Sequence, residues 1–129
     1  MKREIIKTLD GSTTIQLTEW NECYHSKHGA IQEAQHVFIK NGLSLFENKH
    51  VSILEIGFGT GLNAFITLLE AKKMQQTIHY VGVEAYPISA AEVLDMNFVA
   101  ELDATNESLI FDTIHQSNWE EKVVLNANF

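Results

Sequence analysis

The sequence lacks the features by which small proteins are cross-linked by disulfides, exported or inserted into a membrane. Its 129 residues include a single cysteine, Cys23, so no disulfide can form within the chain. The longest apolar segments reach only about half of the ~20 residues that a membrane-spanning helix needs. Residues Met1–Thr14 alternate charged and apolar side chains, without the continuous apolar run of a signal peptide. These absences predict a cytoplasmic protein that does not associate with membranes.

Basic residues are also scarce. Nine Lys and Arg stand against 17 Asp and Glu, which gives a formal net charge of −8. The imbalance lies in residues 50–129, where the acidic side chains outnumber the basic ones by eight. Because nucleic-acid binding relies on clustered Lys and Arg that neutralise phosphates, this charge distribution does not indicate an RNA-binding surface. Any RNA substrate would have to be bound by residues outside this acidic region.

The hydrophobic fraction of 45% and the single proline predict one compact structural unit or a large part of one. Strand-like runs at Arg3–Leu9 and Thr13–Leu17 flank Asp10-Gly11, a dipeptide that favours a tight hairpin turn. Residues Glu19–His28 show no steady period and predict a loop. Apolar residues at helical spacing predict a helix over Gly29–Asn41.

We expect residues 1–49 to form an N-terminal extension of hairpin and helix, and residues 50–129 to form the front of an α/β domain. Val51–Ile56 is an apolar, β-branched run typical of a buried parallel strand, and Thr77–Glu84 is a second one. A glycine turn and a helix lie between them. Pro87 fits the first turn of the next helix. This alternation predicts a partial parallel sheet with helices packed on it.

The turn after the first parallel strand has glycines at Gly57, Gly59 and Gly61. Glycines suit this place because the turn is tight, a ligand must approach the backbone, and the helix packs near the strand; a Cβ at any of them would intrude. A dinucleotide-binding motif would have its third glycine at position 62, which is Leu62. The G-x-G-x-G spacing therefore favours S-adenosylmethionine, although a purely structural turn is the alternative.

Two acidic residues flank this turn. Glu84 ends the second parallel strand, where its carboxylate would accept both ribose hydroxyls of an adenosyl ligand; the alternative is a solvated strand end. Glu55 precedes the glycines and would order the loop or meet the ligand's amino group. The helix that follows points its N-terminal N–H groups toward the same place.

The stretches Tyr24–Ile39, Asn41–Leu43, Glu55–Asn63 and Val83–Pro87 resemble a known family. They look like the methyltransferase that completes methylaminomethyl-thiouridine at the tRNA wobble position, of which this chain would be an N-terminal portion. The resemblance implies a Rossmann-like class I S-adenosylmethionine-dependent methyltransferase fold. It also implies methyl transfer to the aminomethyl nitrogen of 5-aminomethyl-2-thiouridine. tRNA is thus a partner implied by resemblance alone, which the charge of the chain does not support.

The resemblance, together with the motif, implies a set of cofactor-binding residues: Tyr24, Ser26, Glu55, Gly57, Phe58, Gly59, Gly61, Asn63, Glu84 and Ala85. For Tyr24 the alternative is an aromatic anchor for the hairpin, and for Phe58 it is packing. The family's Asp-Ala-Phe-Ala-Pro-like motif, whose aspartate positions the substrate amine, has no counterpart in the sequence. We therefore name no catalytic residue.

Other functions stay open at this level. An aminopropyltransferase would share the glycine turn and the acidic strand end, and a catalytically inactive remnant would use the fold only for association. The later strands of the family are missing, so the Val51–Ile56 strand is expected to have an open edge, covered by a second copy, a rearranged terminal segment or a separate polypeptide. No metal site is expected, because the Cys and His residues match no standard ligand spacing; these are Cys23, His25, His28 and His36.

Overall fold

The computed structural model describes all residues, 1–129, as a mixed α/β protein with two small sheets. The strands are β1 (Arg3–Lys7), β2 (Thr13–Leu17), β3 (Glu22–Cys23), β4 (His50–Ile56) and β5 (Thr77–Val83). The α-helices are α1 (Ala30–Ala34), α2 (Leu62–Lys73), α3 (Ala90–Asp95), α4 (Phe98–Glu101) and α5 (Ser108–Gln116). Short 3-10 helices cover Leu43–Phe46 and Thr105–Glu107.

The predicted hairpin is confirmed. Strands β1 and β2 pair antiparallel with Ile5 opposite Ile15, and Gly11 in the connecting turn has φ +90°, a conformation that favours glycine. The loop expected over Glu19–His28 is wrong in one part, since β3 lies within it and pairs antiparallel with β2. Such a two-residue strand is too short to show an alternating pattern in the sequence.

The hairpin turn also caps α1. The Asp10 carboxylate accepts hydrogen bonds from the backbone N–H groups of Ser12 (2.9 Å) and Gln32 (3.0 Å). A Cβ on Gly29, which precedes the helix, would lie 2.6 Å from Asp10 Oδ2. One side chain thus satisfies free donors of both the turn and the first turn of the helix.

The helix predicted over Gly29–Asn41 is present but changes its winding. After α1, the segment Gln35–Lys40 is π-helical, and the Asn41 N–H donates to the carbonyl of His36, five residues earlier. The chain then turns at Gly42, where a Cβ would meet the carbonyl oxygen of Phe38 at 2.7 Å. Gly42 is therefore required by the close approach of the backbone.

The second sheet is parallel, as predicted, and has two strands, with Ile53 of β4 opposite Tyr80 of β5. One of its faces packs against α2 through Ala71 and Ile78. The opposite face is open, and four of its apolar side chains are 43–75% exposed: Leu54, Ile56, Val81 and Val83. The outer edge of β4 pairs with no strand, which confirms the expected open edge. What covers it stays a prediction.

The main core joins the N-terminal hairpin to the helices that follow the parallel strands. Its centre consists of Phe65, Phe98 and Phe111. The ring centroid of Phe111 lies 5.1 Å from that of Phe65 and 6.2 Å from that of Phe98. Ile15 of the hairpin is fully buried in the same cluster. Each such side chain contributes about 1.5–3 kcal/mol by burial, so one continuous core holds the hairpin against the helices.

The prediction that Pro87 lies in the first turn of a helix is wrong. Helix α3 begins at Ala90, and Ser89 is its N-cap: the Ser89 hydroxyl accepts from the N–H of Glu92, whose carboxylate accepts from the N–H of Ser89. This reciprocal capping box determines the helix start. The helix ends before Asn97, whose side-chain oxygen accepts from Thr13 of the hairpin. No helix of the molecule is long and apolar enough to traverse a bilayer.

Candidate functional site

The predicted glycine turn forms a bend between β4 and α2. Gly57, Gly59 and Gly61 have φ angles of +82°, +58° and +74°, which side chains disfavour. The N–H groups of Gly57 and Phe58 both donate to the carbonyl of Val83, at 2.8 and 3.0 Å. The bend is therefore joined to the carboxyl end of β5, the edge at which α/β sheets bind ligands.

The three glycines meet different surroundings. A Cβ on Gly57 would meet no atom within 4 Å, whereas one on Gly59 would lie 3.2 Å from the ring of Tyr24. A Cβ on Gly61 would lie 2.9 Å from Nε2 of His115. The prediction that a Cβ would intrude therefore holds at Gly61, where a histidine occupies the room, but not at Gly57; the role of Gly61 in cofactor binding stays a prediction. Gly57 faces open space that a Cβ would partly fill.

Glu84 lies against this bend. Its Oε2 accepts a hydrogen bond from the Gly59 N–H at 2.8 Å, and its Oε1 accepts one from the Tyr86 N–H at 2.9 Å. Each carboxylate oxygen has a second acceptor position beyond these bonds. Glu84 therefore orders the bend and keeps the capacity to accept hydroxyl donors from a ligand.

Glu55 is the most buried of the acidic residues at the site, with an exposed fraction of 9%. Its Oε2 accepts from the Tyr80 hydroxyl at 2.9 Å, while its buried Oε1 has no hydrogen-bond partner. Burial raises the pKa of Glu55, and the neighbouring Asn63 and Tyr80 side chains offset part of this effect. Burial and the adjacent carboxylate likewise raise the pKa of Tyr80.

Asn63, in the first turn of α2, presents a second buried acceptor without a donor, its side-chain Oδ1. Buried polar atoms in folded proteins are almost always paired. Unsatisfied acceptors on Glu55 and Asn63, both lining one cavity, indicate a place for a ligand that carries N–H donors.

The cavity beside the bend has a volume of about 1020 Å³. It is lined by seven of the ten predicted cofactor-binding residues: Tyr24, Glu55, Gly57, Phe58, Gly59, Asn63 and Glu84. Glu33 adds a third carboxylate, and neither lysine nor arginine lines it. Such a charge pattern favours a cationic ligand over a phosphate-bearing one.

Three of the predicted residues do not line the cavity, and for Ser26 and Ala85 the local structure gives the reason. Ser26 serves its own loop: its N–H donates to Oε2 of Glu33 at 2.7 Å, and its hydroxyl accepts from the N–H of His28. Ala85 follows β5 and is exposed. Gly61 is buried and lies against His115.

Tyr24 and Phe58 make the packing contacts that were considered for them and also line the cavity, while their role in cofactor binding stays a prediction. The Tyr24 N–H donates to the Ile15 carbonyl at 2.9 Å, which anchors the hairpin, while its ring lines the cavity and burial raises its pKa. Phe58 lines the cavity too, but its ring also packs edge-on against His115 with centroids 6.1 Å apart. A Cβ on Gly82 would collide with the Phe58 ring, so packing contributes to the position of this side chain.

Two histidines hold the bend from outside, and the sequence did not reveal either contact. His25 Nδ1 lies 2.9 Å from the Thr14 hydroxyl and Nε2 lies 3.5 Å from the Thr60 hydroxyl. His115 Nε2 lies 3.0 Å from the Thr60 carbonyl. Burial lowers the pKa of both imidazoles. The partners are 35 and 55 residues apart in sequence, so no local pattern could have indicated them. No group of three or more His, Cys, Asp or Glu side chains is arranged to bind a metal.

Comparison of the sequence with those of known proteins identifies relatives. The tRNA 5-methylaminomethyl-2-thiouridine biosynthesis bifunctional protein MnmC of Acidovorax sp. (strain JS42) is 35% identical over 96 residues, which covers 70% of this chain and 15% of that protein. MnmC of Marinomonas sp. (strain MWYL1) is 34% identical over 86 residues, covering 60% and 13%. This chain therefore spans a small part of the length of these curated relatives. No family model matches the sequence.

A solved structure is similar as well. The crystal structure of MNMC2 from Aquifex aeolicus superposes with a TM-score of 0.62 at 29% sequence identity. The superposition covers 68% of this chain and 31% of the other. A similarity in both sequence and fold is expected of proteins with a common ancestor.

Proposed function

This chain is related to the MnmC proteins over part of their length, and we propose that it binds S-adenosylmethionine as the cofactor-binding part of a Rossmann-like, class I tRNA methyltransferase. The proposed acceptor is the aminomethyl nitrogen of 5-aminomethyl-2-thiouridine at the wobble position. The observation that carries the proposal is the Glu84 carboxylate, 2.8 Å from the Gly59 N–H, which lines the same cavity as an unpartnered Glu55 oxygen.

The residues at the bend fit the adenosine part of this cofactor. The free acceptor positions of Glu84 suit the two ribose hydroxyls, because hydrogen bonds to a charged acceptor are stronger than those between neutral groups. Gly57 leaves room for the nucleoside to lie against the main chain. Phe58 and Tyr24 line the same cavity and offer aromatic faces and edges to it.

Other residues that line the cavity fit the cationic part of the cofactor. The Oε1 atom of Glu55 and Oδ1 of Asn63 are acceptors without donors, and an α-amino group would supply N–H donors to them. The positively charged sulfonium would be favoured by the three carboxylates that line the cavity: Glu33, Glu55 and Glu84. When bound, the cofactor supplies an electrophilic methyl group on a good leaving group.

The residues of the chain would orient the cofactor, and none is assigned to the substrate amine. An amine attacks a methyl group in its neutral form and must lose a proton as the new N–C bond forms, so a nearby group has to hold and deprotonate it. The resemblance assigns that task to an aspartate motif that residues 1–129 do not contain. The proposal for this chain is therefore cofactor binding, and tRNA is proposed as the partner of the methyltransferase of which it is a part.

Calorimetric titration with S-adenosylmethionine tests the proposal. We expect a dissociation constant in the micromolar range for the unaltered chain and at least about tenfold weaker binding for Glu84→Ala, since a charge-assisted contact contributes roughly 1.5–3 kcal/mol. Glu4→Gln is the matched control, because Glu4 is exposed on β1 outside the cavity. Absence of heat at millimolar ligand would contradict the proposal and favour a protein that uses the fold only for association.

An activity measurement addresses the acceptor. The chain is incubated with radiolabelled S-adenosylmethionine and tRNA that carries 5-aminomethyl-2-thiouridine, with unmodified tRNA as the control. Label in the modified nucleoside alone supports the proposed substrate. Cofactor binding without any label would restrict this chain to the binding step.

An aminopropyltransferase is a second candidate, and one observation favours it. No lysine or arginine lines the cavity, so neither side chain is present to pair with the carboxylate of S-adenosylmethionine. Titration with the decarboxylated form of the cofactor discriminates between the two. Tighter binding of the decarboxylated form would favour the aminopropyltransferase, and tighter binding of the complete cofactor would favour the methyltransferase.

A further inference from the structure

We propose that His115 is a positioning residue for the glycine bend: its imidazole donates a hydrogen bond to the Thr60 carbonyl and so holds Gly59 and Gly61 in the conformation that the cofactor site requires. The inference rests on the proposed function for the identity of the ligand. The contact itself can be measured without any ligand.

The contact is close and specific. Nε2 of His115, in the last turn of α5, lies 3.0 Å from the carbonyl oxygen of Thr60. Thr60 is fully buried, and no backbone N–H donates to its carbonyl. A buried carbonyl needs a donor, and the imidazole provides it. The glycine at position 61 is what permits this approach, because a Cβ there would lie 2.9 Å from the same nitrogen.

The imidazole is itself held in place. Its ring packs edge-on against Phe111, with centroids 4.9 Å apart, and against Phe58, with centroids 6.1 Å apart. Burial lowers the pKa of His115, so the neutral ring is the relevant form. A neutral imidazole carries one N–H, and the contact with a carbonyl requires that it be on Nε2.

Thr60, whose carbonyl His115 contacts, lies between Gly59 and Gly61 of the bend. On one side of Thr60, the N–H of Gly59 donates to Glu84 at 2.8 Å. On the other, Gly61 is the N-cap of α2 in a left-handed conformation. The hydroxyl of Thr60 faces His25 at 3.5 Å, so the residue is in contact with elements from both ends of the chain. Releasing the Thr60 carbonyl would therefore change the direction of the Gly59 N–H and the start of α2 together.

A pair of substitutions separates the hydrogen bond from packing. His115→Phe keeps an aromatic ring beside Phe58 and Phe111 but has no donor, whereas His115→Gln can present an amide N–H near the position of Nε2. We expect His115→Phe to weaken S-adenosylmethionine binding about tenfold, the scale of one lost hydrogen bond, and His115→Gln to stay within about threefold of the unaltered chain. Gln116→Ala, an exposed neighbour on the same helix, is the control.

Amide hydrogen exchange provides a readout without ligand. Exchange at Gly59 and Gly61 should be faster in His115→Phe than in the unaltered chain, and His115→Gln should restore it. Equal affinity and equal exchange in all variants would overturn the inference and leave the proposed function intact. If the unaltered chain binds no cofactor, the proposed function fails, and the exchange rates alone decide whether His115 holds the bend.

A spectroscopic measurement covers the case in which His115→Phe does not fold. Nitrogen-15 NMR of the unaltered chain reports which imidazole nitrogen carries the proton. The inference requires the proton on Nε2 of His115. A proton on Nδ1 alone would overturn it.

Discussion

The carboxylate of Glu84 accepts a hydrogen bond of 2.8 Å from the backbone N–H of Gly59, 25 residues earlier in the chain. This bond closes the glycine bend onto the end of β5. Because the bond restrains the bend, less conformational entropy of the chain would be lost if a ligand binds there. The same carboxylate both shapes the site and is proposed to bind the cofactor there.

The glycine bend allows a matched pair of substitutions. Gly57→Ala and Gly61→Ala both place a side chain at positive φ, which costs roughly 1–2 kcal/mol. At Gly61 the new Cβ also meets Nε2 of His115 at 2.9 Å, whereas at Gly57 it meets no atom within 4 Å. We expect Gly61→Ala to lower the free energy of unfolding more than Gly57→Ala, as measured by urea denaturation.

The affinity for S-adenosylmethionine should not follow the order of stability of Gly57→Ala and Gly61→Ala. Because Gly57 faces the cavity, Gly57→Ala is expected to weaken S-adenosylmethionine binding strongly while the fold persists. Equal stability of the two variants would contradict the assignment of Gly61 to the His115 contact.

Glu55 should make the stability of the protein depend on pH. Its folded-state pKa is raised, first by burial, so the folded protein binds this proton more tightly than the unfolded chain does. Stability from this group therefore increases as pH falls through the folded pKa of Glu55 toward its ordinary value. Glu55→Gln, which cannot ionise, should be more stable than the unaltered chain at pH 7, and the difference should shrink under mild acid.

Thermal unfolding from pH 4 to pH 8 measures this difference. Tyr80→Phe is the informative companion, because it removes the hydrogen bond from the Tyr80 hydroxyl to Oε2 of Glu55 and should make the pH dependence of stability steeper. A Glu55→Gln variant that is less stable than the unaltered chain at pH 7 would contradict the argument.

Asp10 should change the stability of the protein with pH in the direction opposite to Glu55. Burial opposes its ionisation, but hydrogen bonds from Ser12, Gln32 and Thr8 outweigh burial and lower its pKa. A lowered carboxyl pKa contributes stability above the unfolded value, and this stability is lost as pH falls through the folded pKa. Asp10→Ala should remove the acid-sensitive contribution and the α1 cap, with a loss of about 0.5–2 kcal/mol at pH 7.

Acid denaturation of the two proteins side by side checks this prediction. The stability gap between Asp10→Ala and the unaltered chain should narrow below pH 4. Asp95→Ala is a suitable control, since Asp95 is an exposed acid in α3 that accepts no hydrogen bond from another side chain. A gap that stays constant with pH would assign the role of Asp10 to packing.

The open face of the parallel sheet predicts self-association of the 129-residue chain. Leu54 and Val81 are neighbours on this face and are 65% and 43% exposed. Exposed apolar faces next to an unpaired strand edge are avoided in isolated proteins. We expect light scattering to show a mass that rises with concentration, and Leu54→Lys to reduce the rise with little effect on thermal stability.

Threonine at position 77 supplies the control for this measurement. Thr77→Lys adds the same charge at the far end of β5, outside the apolar patch. Monomer mass at all concentrations for the unaltered chain would show that the face does not drive association.

The sequence predicted those features of the fold and the site that depend on residues close together in the chain. The hairpin, the two parallel strands and the glycine bend were predictable because strand alternation, β-branched runs and glycine spacing are local patterns. Seven of the ten residues predicted for the cofactor line one cavity, since the carboxyl ends of adjacent parallel strands must meet at one edge of the sheet. The helix start was misplaced because Pro87 and Ser89 are both acceptable beginnings, and the Ser89–Glu92 pair decided between them.

The sequence by itself determined the hairpin, the two parallel strands and the residues at the bend, because each of these depends on neighbours within a few positions. Only the tertiary structure decided that Gly61 faces His115, that Tyr80 donates to Glu55, and that Thr60 lies between two histidines. Those contacts join residues 25 to 55 positions apart. A contact over such a separation is set by how the helices and the hairpin pack on their shared core, which no local pattern of residues contains.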